Sequence, residues 1–205
     1  MQLIEAVSWD FPKIKWLDHF MTGHSGFIAG GCFKQIFKSE KVKDIDIFFE
    51  NEIEFEKAVI YFRDSDSFTK YYTSKKVEAF KCKKTGITLE LIRSTFGSPQ
   101  EVIGDFDFTI TKFAYYKHTE PADGILEESV EYKCLYSPKY FEHLMQNRLV
   151  VDDKTPFPIS TFDRMFRYAK YGYYPCRDTK AKVIAALREL EHMPDSAFSL
   201  YDGVD

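Results

Sequence analysis

Two aspartates, Asp44 and Asp46, stand one residue apart in the segment KDIDIFFE, and two glycines, Gly30 and Gly31, precede them in IAGGCFKQIF. Side chains two apart on a strand point to the same side. If KDIDIFFE is a strand, Ile45, Ile47 and Phe49 face the core and the two carboxylates share the opposite face. Adjacent carboxylates repel unless a cation lies between them. Mg²⁺ suits such a pair, because it takes few protein carboxylates and completes its shell with phosphate oxygens. The glycines fall between a short apolar strand and a helix, where bare backbone N–H groups can approach a polyanion. Lys34, in the first turn of that helix, adds a charge-assisted contact. Glu90 is the acid of the strand ITLELIR and supplies a third carboxylate. Three acids from two neighbouring strands would hold two Mg²⁺ ions, one on a triphosphate and one beside an attacking hydroxyl. Each part also has an ordinary meaning: a tight turn, a half-exposed strand, a polar residue on an open face. The combination on consecutive elements is what points to chemistry.

The elements that must position these residues follow from periodicity. Residues 9–22 carry Ile14, Leu17, Phe20 and Met21 at helical spacing after Pro12. EIEFEKAVIYFRD predicts a helix with Ile53, Ala58, Val59 and Phe62 inward. FTKYYTS, KVEAFKCKK and ITLELIRS read as strands, the last two joined at Thr85-Gly86 as a hairpin. Ser98, Pro99 and Glu101 form a capping box that opens a helix. FDFTITKFAYY reads as a strand, residues 118–131 as a polar loop or hairpin, and Ser137-Pro138 opens a helix to about Asn147. DDKTPFPI is a proline-bearing linker. Two helices follow: STFDRMFRYAKYG, begun by a Ser160–Asp163 box and stopped at Gly172, and another from about Asp178 or Thr179 that stops before Pro194. The expectation is an α+β fold, a mixed β-sheet with helices packed on one face, over residues 1–150. A short helical C-terminal lobe over 151–205 completes it.

Composition narrows the class. The chain has 205 residues and a net charge of −4, which excludes a protein that coats nucleic acid through bulk charge but leaves room for a local basic groove. Twenty Phe and 13 Tyr favour an ordered core over disorder. The four cysteines have no Cys-x-x-Cys spacing, so neither a zinc site nor a disulfide framework is expected. With no secretory-type N-terminus and no run of about 18 apolar residues, the expected location is the cytoplasm, without a membrane.

The glycine–aspartate segment resembles the signature of the DNA polymerase β-like nucleotidyltransferase superfamily: apolar, Gly-Gly, a short helix, then Asp-apolar-Asp-apolar. Glu90 falls where that superfamily places its third catalytic acid. Within it the chain is most similar to a minimal, divergent head domain of the poly(A) polymerase and CCA-adding group. DFDFTIT corresponds to that group's Arg-Arg-Asp-Phe-Thr-Ile-Asn segment, with Asp105 and Phe106 in place of the arginines and Thr111 in place of the asparagine. STFDRMFRYAKYG is similar to its Glu-Asp-x-x-Arg helix, with Arg164, Arg167 and Lys170 aligned and Ser160-Thr161 in place of the Glu-Asp pair. The resemblance implies a ribose role for Asp107, for which a hydrogen bond at a strand start is the alternative. It also implies contacts to base or phosphates for Arg164 and Arg167, for which pairing with acids is the alternative. The chain ends about where the tRNA-gripping region of such enzymes would begin, so a CCA-adding enzyme as such is not expected.

The function expected is transfer of NMP from an NTP to a hydroxyl acceptor with release of pyrophosphate. Asp44, Asp46 and Glu90 would be the two-metal ligands, and Gly30, Gly31 and Lys34 would hold the β- and γ-phosphates. RNA or tRNA ends, protein hydroxyls and small molecules all qualify as acceptors, and a toxin-like transferase would share the mechanism. The competing class is a catalytically inactive module that keeps the fold to bind a protein or nucleic acid. NTP identity and oligomeric state have no signature in the sequence.

Overall fold

The computed structural model describes residues 2–119, 130–152 and 155–190. The described residues form two compact units, one of residues 2–104, 111–119 and 130–138 and the other of residues 105–110, 139–152 and 155–190.

The first unit is an eight-stranded mixed sheet built from β1 (Ile4–Val7), β2 (Phe27–Ala29), β3 (Asp44–Phe49), β4 (Phe68–Thr73), β5 (Val77–Cys82), β6 (Thr88–Phe96), β7 (Phe113–Thr119) and β8 (Val130–Tyr136). The strand order is β1-β8-β7-β2-β3-β6-β5-β4. β3 and β6 pair in parallel; the remaining neighbours are antiparallel. A parallel pair needs a crossover connection. Here it is supplied by helix α2 (Glu52–Asp64) and the β4–β5 hairpin. Asn51 caps α2 by accepting the Glu54 N–H at 3.0 Å. Phe55, Ala58, Val59 and Phe62 form its buried stripe at i, i+3, i+4 and i+7. Ile53 lies off that stripe and is 68% exposed, contrary to its expected inward position. Phe62 packs on Phe68 and Phe80, and Phe55 on Phe49, so the helix covers the face that carries Ile45, Ile47 and Phe49.

Several local readings change. The opening helix is 3₁₀ over Pro12–Phe20, and its buried residues Ile14, Leu17 and Phe20 recur every third position, the period of that helix. β1 was not expected, being four residues long and paired only with β8. The strand expected to begin at Phe106 begins at Phe113, after a 3₁₀ turn at Thr109–Thr111. The Ser98–Glu101 capping box opens α3 (Pro99–Gly104) as expected. β7 pairs with β8, a strand that was not expected, and most of the loop or hairpin expected at 118–131 lies outside the described residues.

The second unit holds α4 (Tyr140–Met145), α5 (Pro158–Lys170), α6 (Arg177–Arg188) and a two-stranded pair, β9 (Arg148–Leu149) with β10 (Tyr174–Pro175). Phe108 bridges to Val151 and the Thr109 N–H donates to Val150. That pairing removes residues 107–111 from the sheet they were expected to join. The chain therefore leaves the sheet unit at Pro138, ahead of the expected boundary at 150. The linker expected at 152–159 lies within the second unit, with 153 and 154 outside the described residues, as is the stop expected before Pro194. α5 begins at Pro158 rather than on a Ser160 box, because proline at the first position is preset for the helix and lacks the N–H that a cap would satisfy. α6 begins at Arg177, and Thr179 serves as a clamp: its hydroxyl donates to Leu149 C=O at 2.9 Å and accepts the Val151 N–H at 3.1 Å. No described helix is long and apolar enough to cross a membrane.

His24 secures the entry to β2. Its Nε2 meets the Phe20 carbonyl at 2.8 Å and its Nδ1 accepts the Gly26 N–H at 3.0 Å, an arrangement that requires the neutral ring. Burial, chiefly, pushes its pKa down from 6.5 to about 4. The unfolded chain protonates near 6.5 and the folded one near 4, so this stability is complete above pH 6.5 and is lost as the pH falls toward 4. The shift corresponds to roughly 3 kcal/mol. The expected outcome in urea titrations is that wild type loses stability relative to His24→Gln across that interval. Parallel pH curves for the two proteins would contradict the neutral-ring account.

Candidate active site

β3 presents its two aspartates on the face opposite Ile45, Ile47 and Phe49, each of which is 0% exposed. Asp44 is exposed and Asp46 half-buried. In the parallel register Asp46 stands opposite Glu90, and Asp44 opposite Thr88. The row continues across the sheet, because Glu90 is opposite Ala79 on β5 and Ala79 is opposite Tyr72 on β4. Asp46, Glu90, Ala79 and Tyr72 therefore line one face on four successive strands. The Tyr72 hydroxyl donates to Glu90 Oε1 at 2.6 Å. Burial pushes the Tyr72 phenol up first, then the bond to Glu90 and the charges of Glu90, Asp46 and Asp44. The phenol thus registers all three acids at once.

The glycine turn approaches the same face. Gly30 adopts φ +95°, a backbone conformation that favours glycine, and its N–H donates to the Phe113 carbonyl at 3.0 Å. That N–H fastens the turn to β7. Gly31 occupies the N-cap of α1 (Cys32–Phe37), and a Cβ built there would stand 3.8 Å from Lys34 Nζ. The ammonium therefore lies beside the turn. Burial raises the Cys32 thiol's pKa, and so does Asp46, while Lys34 opposes the rise and Asp44 adds to it. The buried thiol thus senses Lys34 and both aspartates.

Asp107, Arg164 and Arg167 belong to the second unit. Asp107 is 4% exposed; its Oδ1 accepts the Phe108 N–H at 3.0 Å and its Oδ2 takes an Arg164 Nη1 hydrogen bond at 2.7 Å. Arg167 is exposed on α5. Tyr72 was missed in sequence reading. Two adjacent tyrosines in FTKYYTS leave open which one reaches the acids, and a register shift between Lys70 and Tyr72 decides it.

Three carboxylates on one face are a hard-oxygen donor set of the kind that suits Mg²⁺. Among the described residues no three His, Cys, Asp or Glu side chains are drawn together as a finished metal cage. Asp44 and Asp46 are placed to begin one, and Glu90 holds the Tyr72 hydroxyl.

A family profile described as "Gabija anti-defense 2 family protein" matches residues 7–147. The chain is 24% identical over 184 residues to "Gabija anti-defense 2" of Bacillus phage SPbetaL7, covering 87% of this chain and 42% of that protein. Its fold is similar to that of a CCA-adding enzyme in complex with ATP, with a TM-score of 0.63 at 17% identity over 98% of this chain and 50% of the other. It is also similar to a tRNA nucleotidyltransferase complexed with a primer tRNA and an incoming ATP analogue, with a TM-score of 0.52 at 16% identity over 86% and 50% of the two chains. The chain thus spans half or less of the length of these relatives, and at such identities the structural likeness establishes the nucleotidyltransferase fold.

Arg164→Ala would leave the Asp107 carboxylate, with a side chain 5% exposed, on a single backbone donor. The expected cost is about 1–3 kcal/mol in urea unfolding, against less than about 0.5 kcal/mol for Arg167→Ala on the exposed side. Equal effects of the two variants would contradict a buried anchoring role for the pair.

Proposed function

The chain belongs to the Gabija anti-defense 2 family, and we propose that it works there as a Mg²⁺-dependent nucleotidyltransferase, moving NMP from an NTP to a hydroxyl acceptor with release of pyrophosphate. The observation that carries this reading is the register of β3 and β6, which sets Asp46 opposite Glu90 with Asp44 on the same face. Asp44 and Asp46 would hold the cations, with Glu90 as a third ligand. Bound Mg²⁺ supplies neutralisation of the triphosphate and acidification of the acceptor hydroxyl. Lys34, beside Gly31, binds the phosphates. Positioning and charge neutralisation do most of the work in such a transfer, so few further groups are required.

The family description supports an action against the Gabija defence, and an RNA or tRNA end, a protein hydroxyl or a small molecule serves as acceptor. tRNA and ATP accompany the structural relatives, which supports both an NTP and a nucleic acid as partners. A second reading, a module that binds a partner without catalysis, is favoured by one observation: Glu90 is already engaged by Tyr72.

Calorimetric titration of the four NTPs in the presence of Mg²⁺ separates the two. Wild type is expected to bind at least one NTP, and Asp44→Ala/Asp46→Ala to bind it roughly 100-fold more weakly or worse. Folded wild type that binds no NTP, or a double variant that binds as well as wild type, would overturn the enzymatic reading.

A further inference from the structure

We propose that Tyr72 is itself an acceptor, so that the chain nucleotidylates its own phenolic oxygen. This rests on the nucleotidyltransferase reading above and extends it to a named substrate. The β4–β5 ladder runs in register from Phe68 opposite Cys82 to Lys70 opposite Phe80, then slips so that Tyr72, not Tyr71, faces Ala79. Such a bulge re-aims the side chains that follow it. Without the slip Tyr72 would sit on the other face of the sheet, since successive residues alternate. Ala79 is fully buried and small, so the phenol passes over β5 and reaches the next strand but one. Two strand spacings are about 10 Å, a gap that a tyrosine facing a glutamate closes and that a serine or threonine would not.

The result is a hydroxyl 2.6 Å from Glu90, the carboxylate that stands opposite Asp46. In the transfer reaction that is the place of the attacking hydroxyl, next to the third acid and one strand from the aspartates. In the proposed step the Tyr72 oxygen forms a bond to the α-phosphorus of the NTP. The bond from that phosphorus to the bridging oxygen of the β-phosphate breaks, and pyrophosphate leaves. The phenolic proton passes to the Glu90 carboxylate to which it is already bonded. The products are O-nucleotidyl-Tyr72 and pyrophosphate, with no oxidant or further reactant required.

The test uses the full chain, isolated from producing cells and then incubated with Mg²⁺ and each α-³²P-labelled NTP. Intact mass before and after incubation, fragment mass mapping and NTP calorimetry are run on the same samples. Label and a mass gain of one nucleotidyl group are expected on Tyr72, reduced at least tenfold in Tyr72→Phe and retained in Tyr71→Phe. Circular dichroism of Tyr72→Phe confirms that it is folded. Calorimetric NTP binding without any mass gain, or a gain mapped to another residue, would overturn the self-acceptor proposal and leave the transferase reading standing. Absence of both binding and label would remove the two together.

Discussion

The parallel pairing of β3 with β6 is the constraint on which the site depends. It places Asp46 opposite Glu90, bringing acids from two sequence-distant strands to one face. Carboxylates so arranged are electrostatically costly unless something positive or protic answers them. In this structure the answers are local. Tyr72 donates its hydroxyl to Glu90, and Lys34 stands near the turn that leads into α1. The face opposite repays the arrangement with dense packing: Ile45, Ile47 and Phe49 are sealed under α2, which fixes the strand so that its acidic side cannot rotate away.

Much of this was legible from alternation alone. Asp-apolar-Asp-apolar in one strand and Leu-Glu-Leu in another specify which side chains share a face, because a period of two leaves no freedom. The glycine turn was legible in position but only partly in use: Gly30 supplies the positive φ, yet its N–H is committed to Phe113. The bulge that selects Tyr72 over Tyr71 had no signature, since a slip in register leaves composition unchanged. The segment from Asp107 to Thr111 failed for a different reason. Its β-branched and aromatic residues suit a strand, but Phe108 and Thr109 find their backbone partners around Val150 and Val151. Tertiary pairing overrode propensity there.

The comparisons and the sequence motifs meet at the fold and part at the family. The motifs led to the nucleotidyltransferase superfamily, and the structure has that fold. Membership in the Gabija anti-defense 2 family rests on a profile match over residues 7–147 and was not read from the glycine–aspartate motif. Two positions of the CCA-adding pattern gain a physical account, Arg164, which matches it, and Ser160, which departs from it. Arg164 is the ion-pair partner of Asp107, and Ser160 is an ordinary residue in the first turn of a helix started by Pro158.

A divalent-cation site formed by Asp44 and Asp46 that loads with a nucleotide is what the proposed transfer requires first. Mn²⁺ in place of Mg²⁺ makes this directly visible by electron paramagnetic resonance, since the six-line signal of the free ion disappears on binding. With a non-hydrolysable NTP analogue present, the account predicts uptake of Mn²⁺ by the wild-type chain beyond that of the analogue alone, and no such excess for Asp44→Asn/Asp46→Asn. Equal uptake by the two proteins, or none by the wild type, would contradict it.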